Sequence, residues 1–300
     1  MSAAAAVLSL VPKSKTKSEP DPVQYQLAFA RADPAHIQAP GLFRSLNKRT
    51  GQRSTPMHLV YQRGDRELIF DSPQQMSATD ACVLLALIGF GGLRGVTPDS
   101  CDVIELQAYF VSEFAAQRPL VVHDVSISAI AREIGLSSNA AGSKAAVFDA
   151  VLRLCDVRIT ERRQGGRAGS KVPLMTVSWQ TTGRDRRLTV ALNPWLASAV
   201  LSGGQCARID MSQLRSVRSD IATLLLLRLS ALIDDGVTRA VRLETLLEYV
   251  HATDGTGMNR STQRGRKCAL MTGIAEIKGQ GWQVRETSQG LFAFTRPISS

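Results

Sequence analysis

Residues Met258 to Lys267 read MNRSTQRGRK, four basic side chains set among small hydrogen-bonding ones at the start of an expected helix. Arg260, Arg264 and Lys267 fall at i, i+4 and i+7, one line along a helix, with Arg266 beside them. Asn259, Ser261, Thr262 and Gln263 add donors and acceptors of the kind that meet base edges and phosphates. Farther on, Leu270, Ile274 and Ile277 make an apolar stripe at the same spacing. The second half of the helix is therefore expected to anchor in a core while the first half projects toward a DNA groove.

The flanking sequence supplies the rest of a motif. Upstream, VRLETLLEYV (Val241 to Val250) places Leu243, Leu246, Leu247 and Val250 with the period of a short amphipathic helix, and HATDGTG then breaks it. Downstream, GQG stops the long helix, and two short strands, Trp282 to Glu286 and Leu291 to Thr295, flank the turn Thr287 to Gly290. Helix, turn, helix, hairpin is the order of a winged helix.

The same order occurs earlier in the chain. HLVYQ and ELIF read as a hairpin across RGDR, Ala78 to Phe90 as a helix, and Ile104 to Ala116 as another helix. Ser128 to Ile134 then reads as a short helix, GLSSNAAG as a turn and Ser143 to Cys155 as a longer helix, with two strands flanking Arg162 to Ser170. The expected fold is therefore α+β with tandem winged-helix domains. Residues 1–24 form a disordered basic tail, 25–182 the first winged-helix domain with an N-terminal extension, and 187–297 the second, the main DNA reader. TTGRDRR (Thr181 to Arg187) is read as the linker. The second domain would open with the strand LTVALN, a helix from Pro194 to Val200 with Asn193 as its cap, and a core helix from Ser219 to Ile233.

Composition points to a polyanionic partner. The chain has 300 residues, is 44% hydrophobic and carries a formal charge of +10, with an isoelectric point near 9.8. From Met258 onward seven basic residues face two acidic ones, so the positive field is concentrated there. The five cysteines are widely spaced, mostly in apolar stretches, and read as core residues of a protein in a reducing cytoplasm. The lysines near the N-terminus follow its apolar run rather than precede it, the wrong order for a secretory signal. Cys82 to Leu93 and Ile221 to Ile233 fall short of the roughly 20 residues a bilayer requires and are expected to be buried helices, not membrane spans.

The two copies differ in charge. The first long helix carries Lys144 and Arg153 beside Asp149 and Asp156 and looks mostly buried, whereas the loop after it holds Arg162, Arg163, Arg167 and Lys171 around three glycines. Such a loop suits phosphates or a minor groove. Base reading is therefore expected from the second domain, through Asn259 to Gln263, Arg264, Arg266 and Lys267, and backbone clamping from the first.

Three blocks, DPAHIQAPGLFRSL (Asp33 to Leu46), LTVALNPWLASAVLSGGQCARIDM (Leu188 to Met211) and the ending GWQVRE…TRP, resemble the RepC replication initiators of IncQ-type broad-host-range plasmids. The resemblance runs from about Ala32 to Pro297, leaving the segment before Tyr25 outside it. It implies binding to directly repeated iterons in double-stranded DNA at a plasmid origin and opening of an adjacent AT-rich segment, where a plasmid helicase and primase act. A homodimer is among the expected partners.

The sequence carries no catalytic signature. GFGGLRG (Gly89 to Gly95) has its glycines at the wrong offsets for a dinucleotide loop, and GGRAGSK (Gly165 to Lys171) lacks the Gly-Lys-Ser/Thr of a Walker loop. The four histidines (His36, His58, His123, His251) are scattered and read as structural, so neither a metal site nor a nuclease is expected, and no cofactor. The competing reading is a winged-helix transcriptional regulator or autorepressor, which occupies operator sites without opening DNA. Direct repeats beside an AT-rich stretch would favour the initiator, and a single inverted repeat the regulator.

Overall fold

The computed structural model describes residues 27–46, 52–94, 120–163, 171–183, 185–194, 196–197, 206–251 and 259–298. The expected tail, the helix at Ile104 to Ala116 and most of the helix at Pro194 to Val200 lie outside those residues. Within them, helices and antiparallel sheets alternate around one continuous hydrophobic core.

Two units share one strand order. The first comprises strand β4 (Leu120–Ser126), helices α3 (Ile127–Glu133) and α4 (Ala141–Asp156), and the hairpin β7 (Met175–Thr182) and β8 (Asp185–Leu192), in the sheet order β4-β8-β7. The second comprises β10 (Thr238–Arg242), α7 (Leu243–His251), α8 (Arg260–Lys278), β11 (Gln283–Ser288) and β12 (Leu291–Thr295), in the order β10-β12-β11. In both, the last strand lies between the first strand and its own hairpin partner.

Each unit is backed by an apolar helix. Helix α2 (Ala78–Arg94) packs beneath α4, and its start is fixed by the Asp80 carboxylate, which accepts from Ser77 N–H and Oγ–H, both at 2.7 Å, and from Arg153 Nη2 at 2.7 Å. Helix α6 (Asp220–Leu232) lies against α8 and is capped by Ser219 Oγ, which accepts from Ala222 N–H at 3.2 Å. Residues 81–89 and 222–230 are buried on every side, the pattern of core helices. The α6–α8 crossing is close: a Cβ on Gly273 would stand 2.7 Å from Ile221 Cγ2 and 3.2 Å from Ala222 N. Among the described residues, no helix is long and apolar enough to cross a membrane.

Three expectations about the first unit are corrected by strand pairing. Thr181–Arg187 is not a linker: it is the turn and flanks of the β7–β8 hairpin, with Thr182 opposite Asp185 and Thr181 opposite Arg186. LTVALN does not open the second domain, because Leu188 to Leu192 form the middle strand of the first unit, paired to both β4 and β7. A boundary at 182–187 would cut that sheet. The strands around Arg162 to Ser170, β5 (Arg158–Arg163) and β6 (Lys171–Pro173), do pair with each other, but they do not complete the first unit. They extend the hairpin of β2 (Met57–Arg63) and β3 (Arg66–Ser72) into a separate sheet ordered β2-β3-β5-β6.

The two units are stitched together by the chain's first described residues. Strand β1 (Phe29–Ala32) pairs with β9 (Ala207–Asp210), so a segment before the first unit borders the second. Helix α1 (Pro34–Gln38), capped by Asp33, packs on α6: Gln38 Nε2 donates to Ala231 O at 2.6 Å, and buried Arg228 Nη2 donates to Ala39 O at 2.7 Å. After β9 comes α5 (Met211–Ser216), whose Arg215 forms an ion pair with Glu133 of α3 and donates to Leu27 O at 3.1 Å. Leu27 N–H in turn donates to Glu133 Oε1 at 3.2 Å. Glu133 thus joins three separate segments of the chain.

Candidate nucleic-acid interface

Helix α8 has two halves. Asn259 caps it in extended geometry, its Oδ1 accepting from Thr262 N–H at 2.8 Å, so one lone pair of this oxygen serves the helix. From Arg260 to Gly265 every residue is exposed, as is Lys267, whereas Leu270, Gly273, Ile274 and Ile277 are buried. The first turn contains no acidic residue, so Arg260 stands at the positive end of the helix dipole with no local counter-charge from that turn. That placement is unfavourable for an isolated helix and suits an external anion.

Arg266 departs from its neighbours. It lies in line with Leu270, Gly273 and Ile277, on the core-facing stripe, and is half-buried where the others are exposed. Burial lowers its pKa from the ordinary 12.5. Below it sit Arg44, whose pKa falls through burial and the charge of Arg266, and His251, lowered to about 4 by the same two causes.

The hairpin that follows α8 is close to neutral. Arg285 and Glu286 are both exposed on β11, and Glu286 Oε1 accepts from Gly290 N–H at 3.0 Å to close the turn.

The first unit has the reverse arrangement. The start of α4 is exposed but small, with Ala141, Gly142, Ala145 and Ala146 facing solvent, and its one cation there, Lys144, lies 3.9 Å from Asp185. This qualifies the expectation of a mostly buried helix, since burial begins only at Val147. Its hairpin is the basic element. Exposed Arg186 stacks over Phe148 of α4 at 4.1 Å, and Phe148 meets Trp179 edge-on at 5.3 Å, which fixes the hairpin to the helix. Arg187 Nη2 donates to Asp124 Oδ2 at 2.6 Å.

The cations expected to clamp the backbone are only partly in view. Arg162 Nη1 lies 3.3 Å from Glu67 Oε1 and Lys171 Nζ 2.8 Å from Asp71 Oδ2, so both exposed side chains pair with carboxylates of β3. The Lys171 and His58 contacts hold Asp71 below the usual carboxylate range. Arg163 closes β5 opposite Arg66. Arg167 and the side chain of Arg163 lie outside the described residues. Sequence reasoning passed over Arg44, His251 and Arg186, since none belongs to a charge run on a helix face. Only the register of β7–β8 and the fold of residues 40–46 bring them into position.

No group of side chains that could hold a metal ion occurs among the described residues. The free cysteines range from buried Cys82 to exposed Cys268, so the core reading fits the first and not the second.

The fold is similar to that of a crystal structure of domains 2 and 3 of RctB, solved as selenomethionine derivatives, with a TM-score of 0.52 and 11% identity, covering 89% of this chain and 99% of that one. A second structure of RctB domains 2–3 has a TM-score of 0.47 and 10% identity, covering 87% of this chain and 95% of that one. No curated protein matches the chain. The family model of replication protein C (RepC) matches residues 24–298, nearly the whole sequence. The chain belongs to the RepC family, and its role is in the initiation of DNA replication.

Proposed function

We propose that the chain is an origin-binding initiator of an IncQ-type plasmid, a tandem winged-helix protein whose second unit reads iteron repeats through α8. The observation that carries this reading is the exposed line Arg260, Arg264, Lys267 on a helix whose other half is locked into the core. A rigid mount lets base contacts form without ordering the helix at the moment of binding. Asn259, Ser261, Thr262 and Gln263 complete the reading end. The first unit holds the DNA backbone through Arg186 of its hairpin as the lead contact, and the Arg162, Arg163, Arg167, Lys171 loop of the neighbouring β2-β3-β5-β6 sheet adds a second one.

In this reading the protein acts by binding alone. With no nucleotide loop in the sequence, opening of the AT-rich flank draws on the binding energy of several copies on adjacent repeats, as monomers or homodimers, which together bend and unstack the DNA. A plasmid helicase and primase then enter the opened segment. On a negatively supercoiled plasmid carrying the repeats, the protein is expected to make the flank reactive to a single-strand probe without ATP, steeply with protein concentration and much less on relaxed linear DNA. Full occupancy of the repeats with an unreactive flank, even with the helicase present, would replace this reading by the transcriptional regulator.

A further inference from the structure

We infer that Arg44, His251 and Arg266 form a binding site for a single phosphoryl group, and that in the DNA complex this group is a backbone phosphate beside the reading end of α8. The DNA part rests on the proposed role of α8; the phosphoryl site itself does not.

The three side chains come from distant parts of the sequence and are brought together by backbone bonds. Phe43 forms a bridge to Met76, Arg44 N–H donates to Met76 O at 3.1 Å, and Ser45 N–H donates to Val250 O at 2.8 Å. The last of these fixes residue 45 to the final turn of α7, next to His251. Arg266 approaches from α8 because it lies on the line that continues into Leu270 and Gly273.

Two nitrogens of this group are unsatisfied. Arg44 Nε and His251 Nε2 are shielded from solvent and have no hydrogen-bond partner. A guanidinium has only donors to offer, so its missing partner is an acceptor, and an imidazole with its proton on Nε2 requires the same. The electrostatics agree with the geometry. Arg44 and His251 are both shifted toward their neutral forms, first by burial and then by the charge of Arg266. An anion placed among them reverses that penalty.

The chemistry favours a tetrahedral oxyanion. Arg44 and His251 each hold an unsatisfied nitrogen within the electrostatic reach of Arg266, and a phosphoryl group with its three or four oxygens can accept from both. The position favours DNA as its source, since a duplex lying along Arg260, Arg264 and Lys267 has its backbones at the groove edges. The contact is therefore expected to be blind to sequence. It also gives residues 40–46 a place in the interface of the second unit.

The test uses the full chain and the variants Arg44→Gln and Arg44→Lys. Affinity is measured against a repeat duplex and a scrambled duplex over a range of salt. Loss of one phosphate contact is expected to weaken both duplexes by a similar factor, on the order of ten-fold, and to reduce the log–log salt slope by about one. Arg44→Lys should recover most of the slope. A second arm needs no DNA: inorganic phosphate, against chloride at equal ionic strength, should shift the His251 ring resonances saturably in the wild type and not in Arg44→Gln. If Arg44→Gln does not fold, the wild-type His251 shift on adding either duplex is read instead. Wild-type affinity and slope in folded Arg44→Gln, or an unmoved His251 with duplex bound, would overturn the DNA assignment. No response to phosphate either would overturn the site. A protein that fails to bind DNA at all but answers to phosphate would sink the proposed function and leave the site standing.

Discussion

The two units have the same order of elements and opposite placements of charge. In the second, cations line the exposed start of α8 and the hairpin balances Arg285 with Glu286; in the first, the start of α4 is nearly all small residues and the hairpin carries Arg186 and Arg187. The difference separates what builds the unit from what it can do. The buried residues of α4 (Val147, Phe148, Val151, Leu154) and of α8 (Leu270, Ile274, Ile277) set the packing, while the exposed ends are free to carry any chemistry. A helix with a small, uncharged end can approach a backbone closely but has little with which to distinguish bases. Under the proposed function, selectivity therefore belongs to the second unit and grip to the first.

The largest expected effect tests the selective half. Arg264→Ala should cost about 1–3 kcal/mol on the repeat duplex and relax preference at one base position. Lys267→Ala should weaken all sequences alike and flatten the salt dependence. Competition titrations on a set of single-position repeat variants read both. Unchanged affinity and selectivity in the two variants would remove α8 from the reading role and with it the contrast between the units.

Next is a change that moves the mount of α8 without touching its charge. Gly273→Ala gains about 1 kcal/mol of helix propensity. The new Cβ would, however, press on Ile221 Cγ2 at 2.7 Å and Ala222 N at 3.2 Å. Overpacking of that kind costs about 1–3 kcal/mol, so the net effect is a loss of up to about 2 kcal/mol. Urea unfolding should show it, with weaker DNA binding and intact base preference. Stabilisation by Gly273→Ala would mean that α6 and α8 give way easily, and that the mount is not rigid.

A smaller effect tests the gripping half. Arg186→Ala should lower affinity a few-fold on any duplex and reduce the salt slope by about one. Arg162→Ala should do less, because Arg162 already pairs with Glu67 and an exposed pair of this kind is worth about 0–1 kcal/mol. The reverse ranking would return the backbone contact to the 162–171 loop.

That ranking was not legible in the sequence, and the reason is physical. Periodicity is local, so the apolar stripes of α2, α4, α6, α7 and α8 and the hairpins at 57–72 and 283–295 can be read from neighbouring residues. Strand pairing is not local. Nothing near Leu188 says that it lies beside Val125 and Trp179, or that β1 pairs with β9 across most of the chain. TTGRDRR looks like a linker because turns and linkers share a composition, and only its partners identify it as a hairpin. Within α8, the line Arg260, Arg264, Lys267 could be read from spacing, and so could the place of Arg266 one turn before Leu270 on the apolar stripe, but not the distant residues that this place brings it near. The block at Asp33 to Leu46 is legible only as a resemblance, while the place of Arg44 within it depends on backbone contacts of residues 44 and 45 with residues 76 and 250.

A further expected effect is on stability, and in it the units differ in sign. His251, in the second unit, has its pKa lowered from 6.5 to about 4 by burial and by Arg266. Below pH 6.5 the unfolded chain takes up a proton that the folded chain refuses, so the stability from this group is full above that pH and is lost progressively down to about pH 4. Glu133, in the first unit, is shifted the other way: burial raises its pKa above 4.5 against the pull of Leu27 N–H and Arg215. Its contribution is full below pH 4.5 and is lost as pH rises through the raised value. Between pH 6.5 and 4.5, acid should therefore weaken the second unit while favouring the folded first unit at Glu133. Hydrogen exchange resolved by segment can compare α7 and α8 with α3 and α4 across that window. His251→Asn should flatten the loss in the second unit and leave the first unchanged, and phosphate should reduce the same loss if it binds beside His251. Equal weakening of both units on acidification, in the wild type and in His251→Asn alike, would show that the cluster under α8 does not set the difference.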